Sequence, residues 1–101
     1  MEFRDLEIFV AVVRTGSFTR AAERTFLSQP AVSLSVRRLE NEFGRQLLDR
    51  SRARVRPTDA GRLLLEHAVA ILGRRDTARW QIGAWSGLEG GELRLGTTDT
   101  G

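Results

Sequence analysis

Apolar residues in the first half of this chain recur at helical spacing, each run ending at a residue suited to stop it. Within Phe3–Thr15, Leu6, Phe9, Val10 and Val13 lie three and four apart, with Arg4, Asp5, Glu7 and Arg14 between them. That period belongs to an amphipathic helix, and Gly16 is its stop. Ser17 is placed to cap a short second helix from Phe18 to about Thr25, whose Ala21 and Ala22 permit close helix approach. Thr25, Phe26 and Leu27 read as a turn. From Ser28 the pattern resumes: Val32, Val36, Leu39 and Phe43 form one stripe, to be buried, while Pro30, Ser33, Leu34 and Arg37 share the opposite face. Ser28 is the expected N-cap, and Gln29 and Pro30 fall in the first turn, where proline's missing N–H costs little. A short helix, a few linking residues and a longer helix with a small polar front match the spacing of a helix-turn-helix, spanning about residues 18–37.

Beyond Gly44 the period changes. Leu47–Arg50 and Arg54–Arg56 predict two short strands around a turn at Ser51-Arg52-Ala53, with Pro57 closing the second strand. Thr58 and Asp59 then suit the start of a long helix reaching about Ser86. Some 28 residues at about 1.5 Å each make a rod of about 42 Å, longer than a small core requires. Leu64, Ala68, Ile71, Arg75, Ala78, Ile82 and Trp85 recur at four and three, a seam interrupted by one arginine, with Leu65, Val69 and Leu72 as a second apolar row. One row is expected on the body and the other on a second copy. Gly87, Gly90 and Gly91 are expected to break the helix. Glu92–Gly96 then reads as an opening strand without a partner, so the chain looks like the front piece of a longer protein.

Charge and composition narrow the function. All 16 basic residues are arginine. Residues 1–58 hold 11 arginines against 7 acids, whereas residues 59–101 hold 5 against 6, and Arg50–Arg56 carries four arginines without an acid. This asymmetry points to a polyanion for the first half. A hairpin with alternating arginines fits a wing that reaches phosphates or a minor groove. There is no cysteine, and His67 is the single histidine. Neither a disulfide framework, a thiolate metal site nor a histidine triad is therefore available. With no nucleophile–base pairing and no glycine-rich phosphate loop, an enzyme is not expected, nor is a cofactor or metal. The runner-up is a protein–protein module using the same amphipathic helices. No apolar run approaches spanning length and the N-terminus lacks signal-peptide architecture, so the expected location is cytoplasmic.

The run LEIFVAVVRTGSFTRAAERTFLSQPAVSLSVRRLENEFGRQLLDRS, with RPTDAG after it, resembles the N-terminal domain of LysR-type transcriptional regulators. Phe18, Ala21, Ala22, Ser28, Gln29, Pro30, Ala31, Ser33, Leu39, Glu40, Gly44, Leu47, Arg50, Thr58 and Gly61 fall where that family's pattern has them, and the likeness covers about residues 1–86. Leu48 stands where phenylalanine is usual; Leu34 and Ser35 replace polar or charged residues, which bears on base preference. The closing GELRLGTT is similar to the linker and first strand of the family's effector domain. The resemblance implies a mainly α fold: a winged helix-turn-helix of three helices and a short β-hairpin (residues 1–58), a linker and dimerisation helix (59–86), and a hinge entering a truncated effector domain (87–101). It implies binding of double-stranded DNA as a homodimer on near-palindromic promoter sites. It further implies a tetramer for the intact protein and a small-molecule co-inducer held in the C-terminal domain. The candidate DNA-contacting residues are Thr19, Arg20, Ser28, Gln29, Pro30, Ser33, Leu34 and Arg37, with Arg50, Arg52 and Arg54 of the wing. The candidate dimer interface is Leu64, Ala68, Ile71, Leu72, Arg75, Ala78, Ile82 and Trp85.

Overall fold

The computed structural model describes residues 1–91, with side chains through Trp85. Its order is α1 (Phe3–Thr15), α2 (Phe18–Thr25), α3 (Gln29–Phe43), β1 (Leu48–Asp49), β2 (Arg56–Pro57) and α4 (Asp59–Gly91). Each helix begins and ends for local chemical reasons. Ser17 Oγ accepts from Arg20 N at 3.1 Å and Ser28 Oγ from Ala31 N at 3.2 Å, each satisfying one free N–H of a first turn. Thr58 Oγ1 accepts from Gly61 N at 3.1 Å and donates to Gln46 O at 2.7 Å, tying the start of α4 to the base of the wing. Gly16 and Gly44 close α1 and α3 in the left-handed conformation, at φ 68° and 62°.

The core is one cluster. Leu6, Phe9 and Val12 of α1 meet Ala21 of α2, Val32, Val36 and Leu39 of α3, and Leu47 and Leu48 at the wing's base. The first three turns of α4 belong to it as well, since Leu64 and Ala68 are buried there. The mainly helical, winged arrangement is thus the one the pattern predicts, with a two-stranded antiparallel sheet pairing Leu48 with Pro57 and Asp49 with Arg56.

Several expectations are corrected. Phe43 was assigned to the buried stripe of α3, but it is 44 % exposed. The buried stripe ends at Leu39, and Phe43 instead borders a half-open pocket with Leu47, Leu63 and Leu64. The strands are shorter than predicted, and Pro57, the last residue of β2, is itself paired with Leu48. A two-stranded ribbon leaves an outer edge, where a residue without an N–H forfeits no ladder bond. The long helix continues past Ser86 to Gly91: glycine lowers helix propensity by about 1 kcal/mol per residue without forbidding the conformation. The strand expected at Glu92–Gly96 lies outside the described residues. Among the described residues, no helix is long and apolar enough to cross a membrane.

Candidate nucleic-acid interface

α3 presents the two faces its sequence pattern implies. Val32, Val36 and Leu39 are fully buried, whereas Gln29, Pro30, Leu34 and Arg37 are exposed and Ser33 is half-buried. The exposed front carries an amide, a guanidinium and a small hydroxyl, with little bulk apart from Leu34. Ser28 Oγ is committed as the acceptor of its cap, which leaves its O–H as a donor. Thr19 and Arg20, in the first turn of α2, are exposed.

Ser35 requires a correction. It was grouped with Leu34 as a determinant of base preference, but it has no exposed surface. Its hydroxyl donates to Asp5 Oδ1 at 2.7 Å, and Arg38 Nη2 donates to the same oxygen at 2.9 Å. Burial pushes the Asp5 carboxyl up, but the bonds from Ser35 and Arg38 more than reverse this, leaving it below the usual aspartate range. The α3 side of this network was legible: Ser35 completes a three-four spacing with Val32, Val36 and Leu39. Asp5 likewise shares the Phe9 and Val12 face of α1.

The wing arginines divide by what they touch. The Arg50 guanidinium sits 4.6 Å from the centre of the Phe18 ring and 3.7 Å from Glu40 Oε1, so part of its charge is answered within the chain. Arg54 lies along Gly16; a Cβ on that glycine would meet Arg54 Cγ at 2.6 Å. Val55 N donates to Gly16 O at 3.0 Å, pinning the wing to the α1–α2 corner. These contacts bring the wing beside the start of α2. Arg52 sits on the exposed loop between the strands. Beside it Asp49 accepts from Ser51 N and Oγ at 2.9 and 2.6 Å, bonds that hold its carboxyl below the usual range.

Glu40 is a positioning group that the sequence reading placed only by resemblance. Its Oε2 accepts from Leu47 N at 2.8 Å and more weakly from Leu48 N at 3.4 Å. One carboxylate thereby joins the back of α3 to the strand leading into the wing. Among the described residues, no group of three or more His, Asp or Glu is placed to hold a metal ion.

On α4 the candidate interface splits. Leu64 and Ala68 face the chain's own body, which removes them from a surface open to a partner. Arg75 interrupts the apolar seam expected to meet a second copy. It pairs with Asp76 at 2.9 Å but turns inward: Nη1 donates to Glu7 Oε2 at 2.8 Å, and the guanidinium lies 5.4 Å from the Phe3 ring centre. Ile71 and Leu72 are half-buried, while Ala78, Ile82 and Trp85 are exposed.

The resemblance noted in the sequence is matched by direct comparison. Residues 3–62 fit the family described as bacterial regulatory helix-turn-helix protein, lysR family. The SDS degradation transcriptional activation protein of a Pseudomonas species is 46% identical over 95 residues, covering 94% of this chain and 31% of that protein. The nitrogen assimilation regulatory protein nac of Escherichia coli is 42% identical over 96 residues, covering 95% and 32%. The chain thus spans about a third of the length of these curated relatives. The crystal structure of the BenM_DBD/catB site 1 DNA complex superposes with a TM-score of 0.83 at 36% identity, covering 85% of this chain and 96% of that one. The chain belongs to the lysR family of bacterial regulatory helix-turn-helix proteins.

Proposed function

We propose that this chain is the DNA-reading part of a transcriptional regulator, recognising double-stranded DNA in a sequence-specific way. α3 enters the major groove with Gln29, Pro30, Ser33, Leu34 and Arg37 toward the bases, and Thr19, Arg20 and Ser28 contact the flanking phosphates. Arg52 and Arg54 lie on the backbone or in the minor groove, while Arg50, shared between Glu40 and the Phe18 ring, braces the wing beside α2. The observation that carries this reading is the exposed polar front on a helix whose back is fully buried. Its roles follow from groove chemistry. Gln29 can pair with adenine through N6 and N7, Arg37 can meet phosphate or guanine, and Ser33 is short enough to let the helix sit deep. That BenM and CbnR DNA-binding domains were solved as DNA complexes supports the same reading for this chain.

The proposed assembly is a homodimer on a near-palindrome. The outer half of α4 leaves Trp80 72 %, Ile82 64 % and Trp85 51 % exposed. A shallow groove of about 980 Å³ borders Ile82, lined by Phe3, Ile71 and Ala78 and by Arg74, Arg75 and Arg79. Two antiparallel copies of α4 would cover these groups and set two reading heads on one face of a duplex, in the two-fold arrangement a palindrome requires.

The test starts from a random duplex pool enriched on the immobilised chain, followed by anisotropy titration of the enriched site against an unrelated duplex. A near-palindromic site bound in preference to the unrelated duplex is expected, with Gln29→Ala losing about 1–3 kcal/mol at one base position. Failure to enrich any sequence would refute DNA reading. Unchanged affinity and preference in Gln29→Ala would remove Gln29 from the readers.

A further inference from the structure

We infer that the buried Asp5–Ser35–Arg38 cluster is a positioning device that fixes the rotation of α3 about its own axis, and with it the aim of the base-reading side chains. The inference rests on the DNA-reading function proposed above. Apart from Glu40, whose carboxylate ties the later turns of α3 to the strand leading into the wing, the back of α3 is aliphatic: Val32, Val36 and Leu39 pack against the core. Such contacts hold a helix down but discriminate weakly between neighbouring rotations, because hydrophobic attraction is non-directional. Hydrogen bonds are directional and tolerate little change in length. Ser35 sits on the buried face, roughly opposite the row of Ser33, Leu34 and Arg37, and binds a carboxylate on another helix, 30 residues away in sequence.

The geometry makes the device effective. Asp5 is itself only 5 % exposed and its Oδ1 takes both donors, at 2.7 and 2.9 Å. Its other oxygen accepts weakly from Glu2 N at 3.4 Å, at the start of α1. The carboxylate is therefore held from its own helix while it holds α3. Side chains on a helix reach about 5–6 Å from the axis, so a rotation of about 20° moves a reader's tip by about 2 Å. That displacement exceeds the range over which a bidentate hydrogen bond to a base edge survives. Phosphate contacts by mobile arginines tolerate it far better, since they depend on charge more than on alignment. Releasing the clamp should therefore reduce discrimination between sequences and leave sequence-independent attraction in place. A buried polar network that specifies one arrangement among several similar packings is a known use of such groups.

Ser35→Ala is the direct test, because alanine suits a helix interior and fills less volume than serine. Affinity is measured for the enriched site and for an unrelated duplex, with a salt series on each and a thermal melt of each protein. The expected result is a fall of about tenfold in the ratio of the two affinities, one misaligned reader's worth. Affinity for unrelated DNA and the salt slope should stay where they were. Asp5→Ala should give a comparable loss, and Ser35→Ala added to Asp5→Ala should cost little more, since both remove one clamp. A ratio preserved in Ser35→Ala overturns the inference and leaves packing and the Glu40 bonds to aim the helix. Equal losses on both duplexes overturn it as well, because they mark general damage to the fold. Should Ser35→Ala fail to fold, Arg38→Ala, at a largely exposed side chain, tests the other arm of the clamp by the same ratio. Absence of discrimination in the unaltered chain would refute the DNA-reading function itself, an outcome distinct from discrimination that survives the substitution.

Discussion

Replacing Gly61 by alanine would put a methyl group where the wing meets α4. A Cβ at this position falls 2.0 Å from Leu47 O, 3.0 Å from its carbonyl carbon and 3.1 Å from Pro57 Cβ. Non-bonded heavy atoms rest at about 3.5 Å, so the Leu47 carbonyl must retreat by more than about 1 Å. That carbonyl is backbone, and it accepts from Thr58 N at 3.0 Å in the bond that closes the base of the wing. Overpacking of this kind costs about 1–3 kcal/mol, and a weakened hydrogen bond about 1 kcal/mol more. The better helix propensity of alanine returns at most about 1 kcal/mol. The net expectation is a loss of about 1–3 kcal/mol. Gly73 is the matched control: it lies on the same helix, and a Cβ there meets nothing within 4 Å. Gly73→Ala should therefore stabilise, by about 0.5–1 kcal/mol. Urea unfolding of both variants at one protein concentration reads the contrast, the concentration being fixed because self-association would add to stability. Effects of the same sign and size at both glycines would refute the close-approach reasoning.

Three further outcomes are expected. Arg52→Ala should weaken binding to enriched and unrelated duplexes alike and lower the slope of log affinity against log salt by about one unit; an unchanged slope would make Arg52 a solvated loop residue. The Glu7 carboxyl lies below the usual glutamate range, first because of the hydrogen bond from Arg75. Its stabilising effect is therefore present above the ordinary glutamate pKa and is lost as pH falls through the lowered one. Melting temperature should decline less steeply below about pH 5 in Glu7→Gln than in the parent, and parallel curves would show that this pair adds nothing. Ile82→Asp should convert a dimer at tens of micromolar into a folded monomer in sedimentation, whereas a parent chain that is already monomeric would remove α4 as the pairing element.

Much of this fold could be read from spacing and caps. Ser17, Ser28 and Thr58 each cap the helix expected of them, and Gly16 and Gly44 end theirs in the left-handed conformation that glycine accepts most readily. Long-range pairing was not legible. Periodicity puts Asp5 and Ser35 on buried faces, but nothing local says that the two faces meet, because the contact spans 30 residues. The same limit explains Arg75. On a helical projection it falls in a seam, and only the packing of α4 on α1 turns it toward Glu7 and Phe3. The end of the stripe on α3 was also hidden, because Phe43 continues the period yet stays 44 % exposed beside an open pocket.

The arginines of the first half can be sorted by partner, which a net charge cannot do. Arg38 answers Asp5, Arg50 is shared between Glu40 and the Phe18 ring, and Arg4 bridges Glu7 and the carbonyl of Thr25. Each of these charges is partly neutralised where it stands, and moving it to a phosphate would break a contact that positions a helix. Arg20, Arg37, Arg52 and Arg54 are exposed on α2, on the front of α3 and on the wing loop. For these four, a phosphate or a base edge adds a partner at little internal cost. A salt slope reports the number of phosphates neutralised, so the slope per chain should follow this second group more closely than the 11 arginines of residues 1–58. Substituting Arg38 or Arg50 should then act on stability and sequence preference before it acts on the slope.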